Sequence, residues 1–219
     1  MDSKVIDSWQ KNAEEWVRVI DKDEIESRRY TNKAIEDVLS EMSDNKIMDI
    51  GCGEGWLTRS MTKMGKTAIG IDAIETLLAN ARLKGSESFF QLSYEDIMAG
   101  KQIPEGPYDA AVFNFCIYQE KGLSKLLRNT KKFLKKDGKI VIQTLHPYFL
   151  FSNGLEYKSQ VISDSWKGLP GNFSEGHQWY ARTFENWVSV IAKSGMKVIE
   201  LRETVDSNKK PISLILKLS

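Results

Sequence analysis

Three glycines at alternate positions, Gly51, Gly53 and Gly55, sit in the stretch IMDIGCGEGWLTRS between an apolar run and a helix-like pattern. A glycine loop between a strand and a helix lets the backbone approach a ligand closely and turns the free N–H groups of the helix start toward it. Such a loop suits a nucleotide. A dinucleotide loop, G-x-G-x-x-G, requires glycine at position 56, where this chain has Trp56. Glu54 lies inside the loop, and a carboxylate there repels the pyrophosphate that a helix N-terminus would attract. The expected ligand is therefore not doubly anionic. Two further acids frame the loop: Asp49, two residues before the first glycine, and Asp72, which closes the next apolar run, AIGID. A carboxylate accepts at two oxygens and donates at none, which matches a vicinal diol. Dinucleotide enzymes also place an acid about twenty residues beyond their glycines, so Asp72 discriminates only together with the missing glycine.

The order apolar-Asp-x-Gly-x-Gly-x-Gly, followed by AIGID, SYEDI, YDAAVFNFCIY and FLKKDGKIVI, resembles the class I S-adenosylmethionine-dependent methyltransferases over most of the chain. The resemblance implies S-adenosylmethionine as cofactor, bound along Gly51, Cys52, Gly53, Gly55 and Trp56. It implies Asp49 at the methionyl ammonium, and Asp72 with Ala73 and Ile74 at the ribose. Tyr94, Glu95, Asp96 and Ile97 fall where the family reads adenine, with either Glu95 or Asp96 as the acid. Asn114 and Phe115 fall at the amino-acid end. A sulfonium and an ammonium against one carboxylate make acidic neighbours acceptable. Asp137 replaces a glycine of the family's usual turn into its fifth strand, which touches a turn and not the chemistry. In comparable enzymes an N-terminal helical cap offers a basic residue to the cofactor carboxylate. Arg28 or Arg29 would serve, Arg29 being carried forward here, with a surface ion pair to Glu24 or Glu26 as the alternative.

Methyl transfer requires alignment and exclusion of water, and a base only where the nucleophile must lose a proton. The covering segment is residues 146–182, which hold both histidines and eight of the 22 aromatic residues. A disordered linker would be poor in such residues, so a folded lid is expected. His146, at the carboxyl end of the fifth strand, and Tyr118, just past the fourth, are the catalytic candidates. Equally, His146 can cap the turn before Pro147, and Tyr118 can simply pack. Trp166, His177, Trp179 and Tyr180 are substrate-side candidates, with packing of the lid as the alternative reading.

These residues need a frame. Val5, Trp9, Ala13, Trp16 and Ile20 recur at helical spacing, as do Ile35, Val38, Leu39 and Met42. From Lys46 onward short apolar runs alternate with amphipathic helices, the pattern of a mostly parallel sheet. Strands are expected at 46–50, 67–72, 87–91, 108–113 and 139–145, and a turn at Asp137-Gly138. The stripe Leu123, Leu126, Leu127, Thr130 and Leu134 predicts a helix whose Lys131, Lys132, Lys135 and Lys136 form a solvated basic face. Thr183 caps a helix that Gly195 stops. Two extended runs joined without a helix close the chain and imply an antiparallel pair. The fold class is α/β: a Rossmann-like seven-stranded sheet, mostly parallel with an antiparallel C-terminal hairpin strand, helices on both faces and an N-terminal helical cap.

A chain of 219 residues fits one domain. It divides into a cap (1–43), a core (44–145 and 183–219) and an aromatic lid (146–182). A net charge of +1 recommends no polyanion, and the N/D-P-P-Y motif of amino-methylating nucleic-acid enzymes is replaced by Asn114-Phe115-Cys116-Ile117. A small-molecule acceptor is expected, with no nucleic acid, membrane or metal partner, as in the ubiquinone/menaquinone-biosynthesis-type methyltransferases that the segment order resembles. The start of the chain does not read as a secretion signal and two cysteines make no disulfide framework, so a cytoplasmic location is expected. An NAD(P)-dependent oxidoreductase and a non-catalytic S-adenosylmethionine-binding protein are the alternatives.

Overall fold

The computed structural model describes residues 3–219. Positions 1 and 2 of the expected cap lie outside the described residues. Two helices come first, α1 (Ser3–Asp21) and α2 (Arg28–Glu41). The alternating part follows: β1 (Lys46–Ile50), α3 (Trp56–Lys63), β2 (Thr67–Asp72), α4 (Glu75–Lys84), β3 (Ser88–Gln91), α5 (Tyr94–Ala99), β4 (Tyr108–Asn114), α6 (Leu123–Lys131) and β5 (Leu134–Leu145). Next come the short α7 (Tyr148–Ser152), β6 (Gln160–Ile162) and β7 (Trp179–Ala181), and finally α8 (Phe184–Ser194), β8 (Val198–Val205) and β9 (Pro211–Leu218).

Among the described residues the main sheet has seven strands in the order β3-β2-β1-β4-β5-β9-β8. β1 is parallel to both β2 and β4, while β9 runs antiparallel to β5 and β8. The expected fold class stands. The chain winds outward from β1 in one direction through β3 and in the other through β4 and β5. This topological switch between β1 and β4 opens a crevice beyond their carboxyl ends, where Gly51 and Asn114 stand.

Strand alternation feeds two cores. Met48, Ile50, Ile69, Ile71, Ala111 and Phe113 join α5, α6 and α8 through Ile97, Leu126, Leu127 and Trp187. Ile47, Ala110, Val112 and Val141 face the other way, onto Ile35, Val38 and Leu39 of α2 and Leu57 and Met61 of α3. The period-two pattern along each strand thus explains why helices cover both faces. α1 packs on α4 through Ala13, Val17, Ile74 and Leu77. Among the described residues no helix is long and apolar enough to cross a membrane.

The differences from expectation cluster where local pattern and pairing compete. α6 stops at Lys131, and the chain turns at once into a β5 that begins at Leu134, five residues early. Tyr108 pairs with Leu134, yet Ala110 pairs with Lys139, so residues 135–138 bulge from the strand. Gly138 permits this, since a Cβ there would meet Leu134 Cβ at 2.7 Å and the Asp109 carbonyl at 3.0 Å. Lys135 then forms an ion pair with Asp109 at 2.6 Å, so it does not continue the helical basic face.

Candidate active site

The glycine loop turns directly out of β1. Gly51, Gly53 and Gly55 all have positive φ, at 76°, 57° and 80°. At Gly51 the need is also steric, because a Cβ would lie 2.6 Å from that of Cys116. Gly53 is different: its added Cβ would have nothing closer than Trp16 Nε1 at 3.9 Å, an opening onto the crevice. The amides of Gly51 and Cys52 both donate to the Ile71 carbonyl, at 2.7 and 3.0 Å, which ties the loop to β2. Cys116 Sγ donates to the Ile50 carbonyl and Tyr94 Oη to the Cys116 carbonyl, fixing the β4 exit beneath the loop. Phe115 sits at that exit with φ 50°, a strained conformation for a non-glycine residue.

Three carboxylates gather around this loop. Asp49 is 1% exposed; its Oδ2 accepts from Thr58 Oγ1 at 2.8 Å and its Oδ1 has no partner. Burial, opposed by the Thr58 hydrogen bond and reinforced by Glu54 and Asp72, pushes its pKa up to about 7. Glu54, also 1% exposed, accepts from Trp16 Nε1 at 3.3 Å through Oε2 and leaves Oε1 without a partner. Asp72 accepts from the amides of Gly53 and Ile74 at 2.9 and 2.8 Å, while burial raises its pKa. The nearby cation is Arg28, whose guanidinium lies 4.8 Å from the Trp56 ring centroid. Burial lowers its pKa and Glu54 opposes that.

The carboxylates open onto one cavity of about 1300 Å³, above the range that a single drug-sized ligand occupies. Its walls include most of the expected cofactor positions: Gly51, Cys52, Gly53 and Trp56 from the loop, then Asp72, Ala73 and Ile74, then Tyr94, Asn114 and Phe115. Asn114 adds a buried Oδ1 without a partner.

The opposite wall is aromatic. Trp9 of α1 meets Trp16 edge-on at 5.2 Å and Trp166 at 4.7 Å, and Trp166 stacks on Phe173 at 4.7 Å. His177 stands edge-on to Tyr118 at 4.9 Å. Its Nδ1 faces Ser165 Oγ at 2.9 Å, its Nε2 is buried without a partner, and burial brings its pKa down to about 4. Tyr118 Oη donates to the Phe115 carbonyl at 2.7 Å, and burial raises its pKa. Trp179 packs on Phe149 at 5.2 Å, and Trp179 and Tyr180 both line the cavity. All four substrate-side candidates therefore reach it.

Several expected site residues lie outside it or are engaged elsewhere. Arg29 is exposed, ion-paired with Glu26 at 2.7 Å and stacked over Tyr30, and it is Arg28 that lines the cavity. Consecutive residues on a helix point about 100° apart, so only one of the pair can face inward. Neither acid of SYEDI lines the cavity. Asp96 completes a capping box, accepting from the Ser93 amide at 2.9 Å while Ser93 Oγ accepts from its own amide at 3.1 Å. Glu95 is exposed, and Ile97 is buried in the core. Gly55 packs toward Phe89, away from the cavity. His146 lines the cavity, but neither ring nitrogen is left for a substrate proton. Nδ1 accepts from the Tyr148 amide at 3.0 Å, so it holds a lone pair and not a proton, and Nε2 donates to Glu203 at 2.7 Å. This is the capping arrangement, not a base. The sequence reading also passed over Trp9, Trp16 and Arg182 as site residues. The two tryptophans carried a signal, since both belong to the apolar stripe of one helix.

Residues 26–201 match a family described as "Methyltransferase domain". The chain is 28% identical over 131 residues to a ubiquinone biosynthesis O-methyltransferase of Xanthomonas oryzae pv. oryzae, covering 56% of this chain and 54% of that protein. It is 30% identical over 102 residues to one of Bartonella tribocorum, covering 46% and 41%. The chain spans about half the length of the curated relatives it matches. Among solved structures, the 1,6-didemethyltoxoflavin-N1-methyltransferase of Burkholderia thailandensis, with bound 1,6-didemethyltoxoflavin and S-adenosylhomocysteine, superposes with a TM-score of 0.69 at 13% identity, covering 99% of this chain and 87% of that one. An S-adenosylmethionine-dependent methyltransferase of Mesorhizobium loti superposes with 0.64 at 19%, covering 85% and 95%. At these identities the superpositions establish the shared fold.

Proposed function

The chain belongs to the methyltransferase-domain family, and from that premise we propose that it transfers a methyl group from S-adenosylmethionine to a small-molecule acceptor. The observation that carries this reading is the pair of buried carboxylate oxygens without partners, Asp49 Oδ1 and Glu54 Oε1, beside a glycine loop. Buried acids of this kind need a positive ligand group, whereas a dinucleotide would bring two phosphates against Asp49, Glu54 and Asp72. A ligand bearing both an ammonium and a sulfonium fits this charge set, and a pyrophosphate does not.

In this reading Asp49 holds the ammonium of the methionyl end. Asp72, whose oxygens are oriented by the Gly53 and Ile74 amides, takes the ribose hydroxyls. Arg28, stacked on Trp56 and without an ion-pair partner among the described residues, takes the carboxylate. The bound donor supplies a methyl group already activated on sulfur, so the protein's task is alignment and exclusion of water. The wall of Trp9, Trp16 and Trp166, the last backed by Phe173, serves the second task.

One domain with a cap (1–43), a core (44–145 and 183–219) and a lid (146–182) accounts for these roles. Asn12 clamps the lid by donating to the Ser174 carbonyl at 2.7 Å and accepting from its amide at 2.9 Å. Buried free thiols at Cys52 and Cys116 agree with a cytoplasmic setting. The net charge of only +1 favours a small acceptor over a nucleic acid.

The test is a thermal-shift comparison. S-adenosylmethionine and S-adenosylhomocysteine should each raise Tm, and NAD and NADP should not. Protection by the nicotinamide cofactors alone would overturn the reading.

A further inference from the structure

Among the described residues Arg182 is the one buried cation, 4% exposed, and it lines the cavity at the end of β7, in the lid. Its guanidinium lies 4.9 Å from the Tyr180 ring centroid and 5.2 Å from that of Trp187. Nη1 donates to the Tyr180 carbonyl at 3.5 Å and Nη2 to the main-chain oxygens of Gln119 at 2.6 Å and Glu120 at 3.0 Å, while Nε, a donor, is buried without a partner. Among the described residues no carboxylate reaches ion-pair distance, and the exposed Glu120 acts on it only from farther away. Burial lowers its pKa to about 10, which leaves it charged at neutral pH.

A buried charge normally has a counter-ion, because carbonyl dipoles repay only part of the lost hydration. A purely structural tie between β7 and the loop after β4 would account for Nη2. It leaves the free Nε and the uncompensated charge unexplained. The buried acids Asp49, near the end of β1, and Glu54, in the glycine loop that follows it, line the opposite side, so the cavity carries opposite charges on its glycine-loop and lid walls.

We propose that the methyl acceptor is a planar molecule bearing a carboxylate, which Arg182 holds through Nε while the ring of Tyr180 flanks its plane. A single guanidinium suits a singly charged group, and its N–H donors match a carboxylate. This assignment rests on the reading of the cavity as a shared site for methyl donor and acceptor.

The experiment is calorimetric titration of the full chain saturated with S-adenosylhomocysteine, at pH 7.5 and fixed ionic strength. Matched pairs serve as probes: salicylate against salicylamide, and indole-3-carboxylate against indole-3-carboxamide. The acid of at least one pair should bind about tenfold or more tightly than its amide. Arg182→Gln should weaken the acid about thirtyfold and erase the preference, with the affinity for S-adenosylhomocysteine unchanged; Arg182→Lys should restore part of it. Should Arg182→Gln fail to fold, the acid-to-amide ratios of the wild type and Arg182→Lys decide. Equal binding of acid and amide, no binding of either acid, or a ratio untouched by Arg182→Gln would overturn the assignment. The preceding titration with S-adenosylhomocysteine alone reads the methyltransferase proposal separately, since its failure there precedes any acceptor.

Discussion

Thr58 Oγ1 donates to Asp49 Oδ2 at 2.8 Å and leaves Oδ1 of the same buried carboxylate without a partner. One oxygen is thus fixed by the first turn of α3, and the other is left without a partner in a residue that lines the cavity. With its pKa pushed up to about 7, Asp49 is largely protonated below neutrality in the free protein. A ligand ammonium requires the ionised form, so binding below pH 7 must expel a proton. The dissociation constant for S-adenosylhomocysteine should therefore be about tenfold larger at pH 6 than at pH 8, with proton release visible as buffer-dependent heat. Asp49→Asn should flatten that pH dependence, and a slope that survives the substitution refutes the role.

Asp72 should be probed with asparagine before alanine. Its oxygens hold the Gly53 and Ile74 amides, so Asp72→Ala strands two backbone donors at a cost of about 1–3 kcal/mol each where they are buried. Asp72→Asn keeps one acceptor and removes the charge. We expect Asp72→Asn to weaken S-adenosylmethionine at least tenfold by calorimetry while losing less of the urea-unfolding midpoint than Asp72→Ala. Unchanged affinity in Asp72→Asn would remove the ribose assignment.

Two glycines of the loop should fail in different ways. Gly51→Ala combines a left-handed backbone with a Cβ 2.6 Å from Cys116 Cβ, so the cost falls on stability, on the order of 1–3 kcal/mol or more. Gly53→Ala bears the backbone cost but meets open space that faces the cavity. It should retain most of its stability and lose ligand affinity. Denaturant unfolding and ligand titration on both variants separate the two effects, and an identical pattern in both would contradict it.

These contrasts show what sequence could carry. The loop and its strand were legible because glycine spacing, Asp49 and the run 46–50 all point to one geometry, and the observed β1 has those bounds. The start of β5 was not, because Leu134 extends the helical stripe of α6 while its pairing with Tyr108 is a contact between distant segments. Arg28 and Arg29 have the same chemistry, and only the helix phase set by the packing of α2 separates them. Asp96 was legible in principle: Ser93-Tyr94-Glu95-Asp96 is a capping-box pattern, which competes with the ligand role drawn from resemblance. Of the two engaged nitrogens of His146, Nδ1 is taken by the nearby Tyr148 amide, but Nε2 depends on Glu203, 57 residues away in another strand.

His177 supplies a last prediction with the opposite sign to that of Asp49. Its pKa falls from the ordinary 6.5 to about 4 because burial disfavours the imidazolium, so between those values the unfolded chain takes up a proton that the folded one refuses. Stability contributed by neutral His177 is therefore complete above about pH 6.5 and is lost as pH falls toward 4. Asp49 behaves in reverse: its raised pKa gives the folded state an advantage that is complete below about pH 4 and is lost progressively as pH rises toward 7. The two slopes partly cancel in the wild type. His177→Gln removes one of them, so relative to wild type it should gain on the order of 2–3 kcal/mol on going from pH 7 to pH 4, after the constant cost of the substitution at pH 7 is subtracted. Urea unfolding at several pH values measures that difference, and a difference independent of pH would show that His177 is not held neutral in the lid.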